Sequence, residues 1–114
     1  MTLLEETIKE LKEHGKSEKD ILWCGSPEFG YFTWDEFKEL ADVEYLRIFT
    51  PQTVADDLLI VGKDFWLERY FCNDFECWDY KTIPEKPQKH VKPKTLFSYE
   101  LEEDAPTLQI INRD

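Results

Sequence analysis

The chain has 114 residues, 41% of them hydrophobic, 34% charged and 15% aromatic, and its 25 acidic against 14 basic side chains give a formal charge of −11. That length holds one compact domain rather than two self-sufficient cores, and so many aromatic rings exclude a wholly disordered acidic polymer. The acidic balance sets the summed field against direct binding of duplex nucleic acid or an anionic membrane surface, so the expected partner is basic. No apolar run approaches the roughly 20 residues of a membrane span, and the first twelve residues form a charged amphipathic pattern rather than a signal peptide. Cys24, Cys72 and Cys77 are a sparse, odd set, expected as free thiols in a reducing cytoplasm.

Thr2-Leu3-Leu4-Glu5 has the form of a capping box, and Leu4, Ile8 and Leu11 then recur at helical spacing, predicting a helix over residues 3–14 that Gly15 ends. A capped turn at residues 17–20 leads into Ile21-Leu22-Trp23-Cys24, read as a first strand closed by Gly25-Ser26-Pro27. Tyr31-Phe32 is a second short strand. Thr33-Trp34-Asp35-Glu36 is another capping box, opening a helix through Ala41 with Trp34, Phe37 and Leu40 on one face. Residues 43–50 have strand propensity with imperfect alternation, ended by Pro51.

From Asp57 onward the pattern predicts a three-stranded antiparallel meander over residues 58–61, 65–71 and 75–83, with turns at residues 62–64 and 72–74. Alternation sets Phe65, Leu67 and Arg69 against Trp66, Glu68 and Tyr70, and Glu76, Trp78 and Tyr80 against Cys77, Asp79 and Lys81. The expected fold class is α+β, an antiparallel meander of three or more strands packed with two short helices over residues 1–83. Residues 84–94 form a basic, proline-punctuated linker or arm, and residues 95–114 an acidic tail with strand-like patches at 96–99 and 108–111 that either adds an edge hairpin or dangles.

Charge is unevenly spread: −11 over residues 1–80, +4 over 81–94 and −4 over 95–114. Carboxylates fixed on a rigid scaffold can imitate the charge density of phosphates and enter a basic nucleic-acid channel. Asp35, Glu36, Glu39, Asp42 and Glu44 on and after the second helix, with Asp56 and Asp57 before the meander, are the candidate docking carboxylates. The same residues also fit a plain solvated surface. Trp66 and Trp78 are candidate interface anchors if exposed and cross-strand core residues if buried.

Catalytic readings are thinner. Asp79-Tyr80-Lys81 has the acid-x-Lys spacing of a metal-dependent nuclease, with Asp57 or Asp64 as a second carboxylate, but such triplets are frequent in a chain one-third charged. Cys72 and Cys77 with His14 or His90 lack zinc-site spacing, and neither histidine sits in a nucleophile motif. The expectation is therefore a non-enzymatic protein without cofactor or metal.

The run Gln52-Thr53-Val54-Ala55-Asp56-Asp57-Leu58-Leu59-Ile60-Val61-Gly62-Lys63-Asp64-Phe65-Trp66-Leu67-Glu68-Arg69-Tyr70, with Glu76-Cys77-Trp78-Asp79-Tyr80-Lys81, Pro84, Gly15-Lys16 and Leu22-Trp23-Cys24-Gly25-Ser26, resembles a family of small phage and prophage proteins of Gram-positive bacteria. That resemblance implies an accessory gene product acting in the bacterial cytoplasm, in a neighbourhood that supplies anti-CRISPR and other anti-defence proteins. Together with the acidic scaffold, that context makes a host defence protein such as a CRISPR effector, met at its basic nucleic-acid channel, the expected partner. A host-takeover or assembly adaptor, docking through an aromatic patch, is the alternative.

Overall fold

Alternation along the central strands decides the architecture, because every second residue must face the same layer. The computed structural model describes residues 1–48, 51–99 and 106–113. Its elements are helix α1 (Leu3–Glu13), strands β1 (Ile21–Ser26) and β2 (Gly30–Phe32), helix α2 (Trp34–Ala41), strands β3 (Leu59–Gly62), β4 (Phe65–Cys72) and β5 (Phe75–Thr82), and a short helix α3 (Leu108–Ile111). The five strands form one antiparallel sheet in the order β2-β1-β3-β4-β5, so the fold is α+β with a meander, as the pattern predicts.

Both capping boxes form. The Thr2 hydroxyl accepts the Glu5 N–H at 3.0 Å while the Glu5 carboxylate accepts the Thr2 N–H at 3.0 Å, and Thr33 and Glu36 do the same at α2. The β4–β5 turn is built on Asn73 and Asp74, at φ 52° and 61°, which are among the few side chains that tolerate the left-handed region a two-residue hairpin needs. Gly25 is obligatory for another reason: a Cβ there would lie 2.1 Å from the Gly30 carbonyl oxygen across the β1–β2 pair.

Helices α1 and α2 cover one face of the sheet. Ile60, Phe65, Leu67, Cys24 and Trp78 meet Leu11 of α1 and Phe37 and Ala41 of α2 in the core. The α1 stripe is turned slightly from the one expected: Thr7 and Leu11 are buried, whereas Ile8 is only half-buried. The opposite face carries Trp23, Val61 and Trp66 side by side in register, each half-buried by its neighbours.

Two expectations fail. Residues 43–48 make no strand; Glu44 and Ile48 each form one isolated bridge, to Thr2 and Phe75, and positions 49 and 50 lie outside the described residues. Residues 108–111 are helical, capped by the Thr107 hydroxyl, and 96–99 are irregular, so the tail supplies no hairpin among the described residues. Helical hydrogen bonding is local and needs no partner strand, whereas an isolated hairpin of two short patches is marginal in water. The chain divides at Pro84 into a unit of residues 1–84 and a unit of residues 85–114. Inside the second, the Asn112 side chain accepts the Lys94 and Thr95 N–H groups at 2.7 and 3.1 Å and donates to the Thr95 and Leu108 carbonyls.

Beneath β4 and β5 lies a charge cluster that the fold encloses. The Arg69 side chain is 0% exposed; its guanidinium reaches Glu6 of α1 at 3.4 Å and Glu76 of β5 at 3.2 Å, and lies 4.6 Å from the Trp78 ring centroid. Tyr45 donates its hydroxyl to Glu6 and accepts from Arg69 at 3.1 Å. Burial, and then the bond to Glu6, push the Tyr45 phenol well above its ordinary value, so it stays a donor. Breaking such a cluster leaves two carboxylates without their central cation. Arg69→Met is expected to cost about 3–5 kcal/mol in urea unfolding, and a loss under about 1 kcal/mol would show that the cluster is not the buried ion pair drawn here.

Candidate functional site

Helix α2 stands over the β1–β2 end of the sheet and does not close it. Phe37 and Ala41 turn inward, while Leu40, one turn from Glu36, is 77% exposed. At the other lip the Ser26 hydroxyl accepts the Phe29 N–H at 3.0 Å, turning the chain so that Phe29 is 82% exposed. Between them, floored by Phe32 and Phe37 and walled by Leu3 and Leu58, is an apolar cleft of about 370 Å³ with Asp57 on its lining. That volume admits one or two large apolar side chains.

The far wall belongs to the irregular stretch 51–58, and the buried cluster holds it. Glu76 uses its carboxylate to accept the Thr53 N–H at 2.9 Å and the Val54 N–H at 3.3 Å, while its own N–H donates to the Arg47 carbonyl at 2.9 Å. A carboxylate that satisfies two backbone donors fixes the loop that no regular ladder supports. From there Ala55, Asp57 and Leu58 reach the cleft.

The chain segments that supply most of the cleft lining are rich in carboxylates. Between residues 22 and 46 the sequence has six acids and one base, and residues 51–62 add two acids and no base. Asp35, Glu36, Glu39, Asp42 and Glu44 are all exposed, as are Asp56 and Asp57. Their surroundings differ. Asp35 pairs with Lys38 at 3.4 Å, Glu36 is spent on the α2 cap, and Asp42 ends that helix. Glu44 lies 3.5 Å from the Met1 amino group, and Asp56 accepts from Gln52 at 3.2 Å. Asp57 is the one on the cleft lining. Glu39 has no ion pair among the described residues.

The two tryptophans part company. Trp66 sits on the bare sheet face with its Nε1–H donated to Glu68 at 2.8 Å. Trp78 is 5% exposed and donates its Nε1–H to Thr7 at 2.8 Å, so it is a core residue and no surface anchor. Inward alternation with Glu76 and Tyr80 puts it under α1.

Asp79 and Lys81 share the bare face as an ion pair at 3.3 Å, and Asp64 pairs with Lys16 at 3.5 Å. Among the described residues no three of His, Cys, Asp and Glu converge as a ligand set. Burial pushes the Cys24 thiol up to about 12, which keeps it a protonated core filler. No helix of the described residues is long and apolar enough to cross a membrane.

Sequence reasoning found the acids and missed the cleft. Its apolar signals were present as Phe29, isolated between Pro27 and Gly30, and Leu40, which the helical face grouped with the core residues Trp34 and Phe37. Comparison with protein-family models, with curated proteins and with solved structures returns no match to this chain, so its geometry and chemistry carry the functional argument.

Glu36 also makes the site sensitive to acid. The Thr33 N–H and then the Thr33 hydroxyl hold its carboxyl below the ordinary 4.5. A carboxyl depressed in the fold stabilises it above the unfolded value, and that contribution is lost as pH falls through the depressed value. The stability gap between the natural chain and Glu36→Ala is therefore expected to be full at neutrality and to close as acidification carries the pH below the ordinary carboxyl range, followed by chemical unfolding. A gap constant across that range would contradict a charged cap.

Proposed function

We propose that this chain is a phage-encoded, non-enzymatic inhibitor that sets its acidic pole on a basic surface of a host defence protein, most concretely the guide-RNA or target-DNA channel of a CRISPR effector. One observation carries the reading: an open apolar cleft with Asp57 on its lining, built largely from chain segments 22–46 and 51–62, whose sequence holds eight carboxylates against one lysine. Pure charge imitation needs no cleft. An apolar cleft within an acidic field suits a protein surface on which a bulky apolar side chain projects among lysines and arginines, the apolar contact slowing release and the charges speeding and orienting encounter.

Specific features divide the labour. Glu39, Asp42 and Asp57 are exposed carboxylates that take no part in the N-terminal capping box of α2, so they are available to meet partner cations; Asp35 exchanges its exposed contact with Lys38 at little cost. Leu40 and Phe29 form the lips that close on the apolar anchor. The alternative, an adaptor for host takeover or assembly, draws its support from the row of Trp23, Val61 and Trp66 on the other sheet face. That contact would be apolar and nearly indifferent to salt.

The test is a titration of the protein into purified guide-loaded CRISPR nucleases of Gram-positive bacteria, read as loss of target-DNA binding. Inhibition is expected to weaken at least about tenfold when Glu39, Asp42 and Asp57 are reversed to lysine together, to weaken similarly in Leu40→Asp, and to fall as salt rises. Inhibition that survives both changes with the fold intact by circular dichroism, or its absence across the panel, contradicts the proposal.

A further inference from the structure

The sheet ends on β5, whose outer backbone groups are unpaired among the described residues of 1–84 over a bounded window. Because the Glu76 N–H points away from β4 to the Arg47 carbonyl, strand alternation turns the N–H and C=O groups of Trp78, Tyr80 and Thr82 outward as well. These groups have no backbone partner among the described residues. At one end the window is closed by Arg47 and by the Ile48 bridge to Phe75; at the other it is closed by Pro84, which has no N–H to give. Glu76 and Pro84 are equidistant from Tyr80.

We propose that this edge is a self-recognition surface on which β5 of a second copy pairs antiparallel about a two-fold axis through Tyr80, joining two five-stranded sheets into one of ten. An isologous contact must place each residue against its mirror position, so the register can be judged from the sequence of the strand. Centred on Tyr80, the pairing sets the outward-bonding residues against each other, Tyr80 on Tyr80 and Trp78 on Thr82. It also places Asp79 of each copy opposite Lys81 of the other, on the face where the two already form an ion pair within one chain at 3.3 Å. Shifting by one residue on each strand sets Asp79 against Asp79 or Lys81 against Lys81, and like charges directly opposite are destabilising. Odd registers oppose bonding with non-bonding residues. Only one alignment satisfies the backbone, the charges and both closed ends.

Edge strands left bare invite such pairing, and a lone lysine is a common guard against it. Here Lys81 does not guard, because Asp79 two residues away supplies its complement on the incoming strand.

Sedimentation of the full chain at low salt, up to about 1 mM, measures this directly. A reversible dimer is expected. Asp79→Lys and Lys81→Asp alone should each raise its dissociation constant about tenfold, since the two-fold axis doubles every pair, and the double exchange should restore it. Thr82→Pro removes an outward donor without touching a bond to β4 and should weaken the dimer also. A chain that stays monomeric throughout, a double exchange no better than the single variants, or a dimer indifferent to Thr82→Pro overturns the proposal. All three substitutions fall on exposed or half-exposed positions, and circular dichroism checks that each variant remains folded.

Discussion

Arg69 is the residue on which the layout turns. It projects from the middle of β4 into the layer where Phe65 and Leu67 also point, and a guanidinium in that position is tolerable only if carboxylates meet it there. Glu6 comes from α1, Glu76 from β5, and Tyr45 from the irregular stretch after α2. One cation therefore ties a helix, an edge strand and a loop to the same point. Buried ion pairs add little net stability compared with apolar packing, but they penalise any arrangement in which a member is misplaced, and here that selectivity falls on the segments with least regular structure.

Its consequence reaches the surface through Glu76. Having met Arg69 with one oxygen, that carboxylate also accepts the Thr53 and Val54 amides, and a stretch without ladder bonds becomes the second wall of an apolar cleft. The opposite wall, α2, is held by its own capping box and by the Trp34 Nε1–H donated to Glu18 at 2.9 Å. A preformed concavity in an acidic field loses little ordering entropy when a partner arrives. The interaction we propose for this pole combines complementary charge with one anchoring contact, a division of roles common to protein interfaces.

Most of the fold could be read because its signals are local. The capping boxes at Thr2 and Thr33 and the alternation from Phe65 to Tyr80 each act over a few residues, and all appear as expected. Residues 43–48 and 51–58 were opaque because the bonds that order them come from Glu76 and Arg69, more than ten residues away, and local propensity holds no record of such bonds. Even so, one hint was present: alternation put Arg69 and Glu76 on the inward faces of paired strands, and opposite charges at two inward positions imply a buried pair. Trp78 was ambiguous for the converse reason, since a tryptophan suits a core and an interface equally until its neighbours are known. The tail misled because Leu108, Ile110 and Ile111 have strand propensity, whereas a Thr107 cap needs only four residues to start a helical turn.

Amide hydrogen exchange at Thr53 and Val54 tests the link between buried cluster and cleft most directly. If the Glu76 carboxylate holds that wall, both amides exchange as slowly as those of the β4–β5 ladder and become fast in Glu76→Gln while the ladder itself stays protected. Exchange at the speed of free loop amides in the natural chain would contradict the account, leaving the cleft without a fixed second wall.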